Sequence, residues 1–124
     1  MDYHAHAAQV EALGRLRRLL GGAAPPLQAV LAHPRAVRTL QWYLEKPHVS
    51  EAHKKEAAWC VTNIAAGDAS ATAAVLSTAP ALLRLLRDPL HVSGMELKDQ
   101  CAWALGNMAA CCPSCRTALL SLSA

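Results

Sequence analysis

The stretch from Lys54 to Ala66 is written again from Lys98 to Ala110, and a chain that repeats itself this way has few ways to fold. Sliding the sequence against itself by about 44 residues pairs Ala58 with Ala102, Trp59 with Trp103, Val61 with Leu105, Asn63 with Asn107, Ile64 with Met108 and Ala65 with Ala109 without a gap. A period of that size marks a helical array, in which each unit buries its apolar face only against its neighbours.

Both copies read as helices, because their apolar residues recur at three- and four-residue spacing and Ala, the best helix former, dominates them. Trp59 and Asn63 stand one turn apart on one face, as do Trp103 and Asn107. A mid-helix Asn is mildly unfavourable and a Trp normally covers its surface, so the same pair in both copies predicts a face that meets something. An extended peptide fits. The Asn amide holds a peptide unit, and the indole face packs an alkyl stem and attracts its cation. Helices stacked roughly 8–10 Å apart, against about 3.3 Å per extended residue, would meet such a peptide every third residue or so. The same pair also suits a purely structural role, with Trp packing between repeats and Asn bonding a neighbouring segment.

These two stretches, EAAWCVTNIAAG and DQCAWALGNMA, resemble the third helices of consecutive armadillo repeats in importin-α. The resemblance runs from about residue 8 to residue 120 and corresponds to the second and third repeats of that family. It implies an all-α fold, an α-α superhelix of about two and a half repeats. Residues 1–22 would be the last helix of a partial repeat, 23–67 and 68–112 two full repeats, and 113–124 the start of another. It further implies a concave groove that binds the basic nuclear localisation signals of cargo, with Trp59, Asn63, Trp103 and Asn107 as a ladder. Gly67 and Thr72 match residues that help hold the principal lysine of the signal, and Asp99 and Gln100 match polar groove positions. The chief departure is Cys111, where the family carries an aspartate that pairs with that lysine. A charge-assisted pair of this kind is worth about 1.5–3 kcal/mol, so weak signal binding is expected. Gly21 and Gly22 also replace polar and basic residues of the family. The alternative is an armadillo scaffold, or a degenerate paralogue, that mediates protein–protein interaction without cargo import.

The rest of the composition agrees. The chain has 124 residues, no Phe and only 4% aromatics, which suits close-packed helices and disfavours a β-rich fold. The net charge of +3 is modest and scattered apart from Arg15, Arg17 and Arg18 and the pair Lys54 and Lys55, which read as solvated faces and not as a nucleic-acid surface. A groove for a cationic peptide needs carboxylates, and Glu56, Glu96 and Asp99 are the candidates. Charges, Pro, Gly and Ser interrupt every Leu/Ala stretch before it spans a bilayer, and Asp2 with several His does not open like a signal peptide. The expected compartment is cytosol and nucleus.

Five Cys without a secretory opening predict reduced thiols, with Cys60 and Cys101 in the core. Cys112 and Cys115 have the spacing of half a zinc site, but zinc wants four ligands and no second Cys-x-x-Cys is present, so a solvent-edge loop between helices with free thiols is expected and no cofactor or metal. The six His read as isolated surface or cap residues. Nothing assembles a nucleophile, base and orienting group, so no enzyme is predicted. Solenoids bury their ends under caps, and neither an obvious cap nor the basic autoinhibitory segment of importin-α stands here. The sequence therefore reads as a fragment or as a chain whose repeat ends self-associate, and a carrier resembling importin-β would bind through regions absent from it.

Overall fold

The computed structural model describes residues 3–122, which form eight α-helices and one 3-10 turn with no strand among them. In chain order these are α1 (Tyr3–Leu20), α2 (Leu27–Ala32), α3 (Ala36–Glu45), α4 (Glu51–Ala65), α5 (Ala69–Val75), the 3-10 turn Leu76–Thr78, α6 (Ala79–Arg87), α7 (Met95–Cys111) and α8 (Pro113–Leu122). The two repeated stretches lie in α4 and α7.

Local chemistry sets the boundaries. Gly21 closes α1 with its N–H on the Arg17 carbonyl, and Pro25 and Pro26 then hold the chain off until α2. Pro34 suits the first turn of a helix, yet α3 does not start there. Instead Arg35 donates its N–H to His33 Nδ1 and Ala36 to the His33 carbonyl, so a turn intervenes and α3 starts at Ala36. Ser50 caps α4, its hydroxyl accepting the His53 N–H at 3.3 Å. Asp68 does the same for α5 through the Ala71 N–H at 2.9 Å. Glu51, in the first turn of α4, also accepts the Gly94 N–H at 2.7 Å and so ties the starts of α4 and α7 together.

Helices α1, α4 and α7 lie side by side with α4 in the middle, while α3 and α6 back them and α8 packs on α7. Leu20, Leu44, Ile64, Leu82 and Met108 are buried between these layers, each such side chain contributing about 1.5–3 kcal/mol. Cys60 and Cys101 are fully buried, as expected, and burial pushes both thiols up to about 12, where they stay neutral. Trp42 packs edge-on against Tyr43 and His48.

Two expectations change. Residues 69–87 reach a mean hydropathy of 1.4 over a bilayer-length window, although charged and helix-breaking residues were expected to interrupt every such run. The stretch divides at the 3-10 turn beside Pro80 into α5 and α6, and α6 packs on α7. The histidines are not all isolated: His53 is buried, its ring 4.4 Å from that of His6 and stacked 5.3 Å from that of Tyr43. The neighbouring positions of α1, α3 and α4 bring these three together, which spacing along the chain did not reveal.

Candidate functional site

The repeated Trp/Asn pairs stand on adjacent helices, and the structure treats the two rungs differently. Trp103 on α7 is 61% exposed, with Asn107 one turn further along. Trp59 on α4 is partly buried because the Arg17 guanidinium of α1 lies over its ring, 4.1 Å from the centroid. Arg17 Nε donates to Glu56 Oε2 at 2.6 Å, and both side chains are largely shielded, at 20% and 14% exposure. The cation attracted to the first indole is thus supplied by the chain itself.

Arg17 and Lys54 read from the sequence as solvated faces, but Arg17 is largely shielded and Lys54 is buried; for Arg17 a signal was present. Buried Leu13 and Leu20 and partly buried Leu16 form the inward stripe of α1, and Arg17 falls at i+4 from Leu13 and i−3 from Leu20, within that stripe. A cation on an apolar face needs a partner, and the Glu56 carboxylate and the Trp59 ring are that partner.

The two asparagines do the same work in both copies. Asn63 Nδ2 donates to the Arg17 carbonyl and Asn107 Nδ2 to the Thr62 carbonyl, each at 3.0 Å and each reaching one helix back along the array. Each amide thereby commits one of its two hydrogens to the array. Gln100 turns toward α4, where Thr62 Oγ1 lies 3.3 Å from its side-chain oxygen, and Asp99 is exposed.

Gly67 and Thr72 lie at the joint between α4 and α5. A Cβ on Gly67 would stand 2.5 Å from Leu27 Cδ1 and 3.1 Å from the Ile64 carbonyl oxygen, so a side chain here would make Leu27 of α2 shift. Thr72 is fully buried, and its hydroxyl donates to the Ala65 carbonyl at 3.3 Å. Both therefore shape the joint from within.

Two of the three expected groove carboxylates are already paired. Glu56 holds Arg17, and Glu96 accepts from Lys55 Nζ at 3.0 Å, leaving exposed Asp99 outside these ion pairs. Cys111 ends α7, and its sulfur lies close to those of Cys112 and Cys115.

No family model matches the chain. Over 120 residues, 94% of its length, it is 38% identical to importin subunit alpha-9 of Arabidopsis thaliana, and over 121 residues, 93% of its length, 34% identical to importin subunit alpha-1b of Oryza sativa subsp. japonica. It spans about a fifth of these relatives, 22% and 21% of their lengths. Among solved structures, an engineered protein aligns with a TM-score of 0.82 at 25% identity, covering 95% of this chain and 46% of that one. A designed armadillo repeat protein, solved in complex with the peptide (KR)4, aligns with a TM-score of 0.78 at 22% identity, covering 99% of this chain and 53% of that one.

Proposed function

We propose that this chain, an armadillo-repeat solenoid similar to importin subunit alpha, captures extended basic peptides of the nuclear-localisation-signal kind on the face that α4 and α7 share. The observation that carries the reading is Arg17 on Trp59: the first rung accommodates a guanidinium at 4.1 Å, and the second presents the same Trp/Asn pair with its ring exposed. Trp103 receives the alkyl stem and cation of a ligand side chain, Asn107 holds the adjacent peptide unit with its uncommitted amide hydrogen, and Asp99 and Gln100 flank that rung. Trp59 and Asn63 extend the ladder when Arg17 moves aside, while Gly67 and Thr72 keep the joint in shape. Such a chain works as an adaptor between cytoplasm and nucleus, with an importin-β-like carrier engaged through other regions.

A second reading, an armadillo scaffold for a different protein segment, is favoured by the pairing of Glu56 and Glu96, which leaves a chain of net charge +3 with little to steer a cation toward it. Fluorescence anisotropy of a labelled lysine-rich localisation peptide separates the two. Saturable binding in the micromolar range, about −8 kcal/mol, is expected, and is lost in the double variant Trp59→Ala plus Trp103→Ala. Arg17→Ala uncovers Trp59 and frees Glu56. A cation–π contact of about 0.5–2 kcal/mol predicts a gain of a few-fold to roughly thirtyfold in affinity. Cys111→Asp tightens binding further. No binding by a folded, helical sample of any of these chains would reject the peptide groove in favour of the scaffold.

A further inference from the structure

We infer that Cys111, Cys112 and Cys115 form a three-thiolate site for a soft monovalent cation, Cu(I). The junction between α7 and α8 is a single residue. Cys111 is the last residue of α7, Cys112 is extended (φ −165°, ψ 161°), and Pro113 begins α8, so Cys115 falls in the first turn of the new helix. That short reversal brings three sulfurs together, all within 4.8 Å of one another. Cys112 and Cys115 share a hydrogen bond at 3.0 Å between their sulfurs, and Ser114 Oγ lies 3.2 Å from Cys112 Sγ.

The spacing suits a metal. A metal–thiolate bond of about 2.3 Å places three sulfurs of a trigonal site about 4 Å apart, which lies between the 3.0 Å of Cys112 and Cys115 and the 4.8 Å limit of the set. Small rotations of the side chains suffice to close it. Cys111 and Cys112 are partly exposed, giving an ion a path in, whereas Cys115 is buried and anchors the site.

The donor set selects the ion. Among the described residues the cluster contains sulfur alone, without His, Asp or Glu. Soft thiolates select Cu(I) and zinc over hard cations, and structural zinc wants a fourth protein ligand that is absent from this group, whereas three thiolates complete a trigonal Cu(I) centre. Binding releases the thiol protons, so uptake strengthens as pH rises.

The test is an anaerobic titration of the fully reduced chain against the chromophoric Cu(I) chelator bicinchoninate. One equivalent of Cu(I) is expected to leave the chelator, and Cys111→Ser, Cys112→Ser and Cys115→Ser each lower the apparent affinity by about tenfold or more. Because Cys115 is buried, its variant is read only if its helical circular dichroism matches the parent, and X-ray absorption of the copper-loaded parent supplies the second measurement. Three sulfur neighbours per copper are expected. Failure to withdraw Cu(I) from the chelator, unchanged affinity in Cys111→Ser, or two sulfur neighbours would each overturn the site. An intense Co(II)–thiolate absorption band without Cu(I) uptake would also overturn it, in favour of a divalent ion.

Discussion

His53 is held in its neutral form by everything around it. Its Nε2 lies 3.0 Å from Gln9 Oε1 and its Nδ1 2.7 Å from Ser50 Oγ, while His6 Nε2 stands 3.1 Å from that same hydroxyl. All these contacts are satisfied when His6 donates to Ser50, the Ser50 hydroxyl donates to His53 Nδ1, and His53 Nε2–H donates to Gln9. A second proton on His53 would face the hydroxyl hydrogen. Burial lowers its pKa below the usual 6.5, and the nearby His6 and Lys54 push the same way. A depressed folded-state value means that the unfolded chain takes up the proton first. The stability is therefore complete above about pH 6.5 and is lost as pH falls through the folded value. Thermal unfolding between pH 7.5 and pH 5 is expected to show a falling midpoint, and His53→Gln, which does not titrate, should flatten that fall. Parallel curves for parent and variant would remove His53 as its cause.

At the level of the helices, the repeat extends to the way each long helix is anchored. Lys54 Nζ donates to the carbonyls of Tyr43 and Lys46, at 3.3 and 2.5 Å, near the end of α3. Lys98, its counterpart in the second copy, donates to Leu85 and Leu86, each at 2.9 Å, and to Asp88, at the end of α6. A helix leaves its last carbonyls without partners, and here the next long helix sends a lysine back to satisfy them and to oppose the dipole. Lys98→Met keeps the stem and removes the ammonium. It should cost about 1.5–3 kcal/mol, read as a lower urea midpoint at unchanged slope. The opposite sign belongs to Gly106, inside α7, where an added Cβ meets nothing within 4 Å. Gly106→Ala should stabilise by about 0.5–1 kcal/mol in the same titration. The correspondence of Lys54 with Lys98 was visible in the repeat, and so were the proline and glycine breaks. What the lysines bond was not visible, because their partners lie on the preceding helix.

Across the whole molecule the same division holds. A period constrains which elements recur and which neighbours stack, so the superhelix, its helices and the two Trp/Asn rungs were legible before any coordinates. Contacts that occur once carry no periodic signal: Arg17 with Glu56 and Trp59, His6 with His53, and the three sulfurs at the α7–α8 junction each depend on side-chain register between elements. The most consequential is Arg17, since it covers one of the two Trp/Asn pairs and leaves the other open. That asymmetry has a signature. Adjacent helices lie about 8–10 Å apart and an extended peptide advances about 3.3 Å per residue, so two basic side chains reach both rungs when they are about two to three residues apart. In a series of peptides carrying two lysines at increasing separation in a Gly/Ser background, the parent chain should show little dependence on separation, because only Trp103 is open. Arg17→Ala should show affinity peaking at two to three residues, as the second contact becomes intramolecular and adds its effective concentration. A flat series in both chains would mean that the rungs never act together, whereas a peak already present in the parent would mean that Arg17 leaves Trp59 readily on its own.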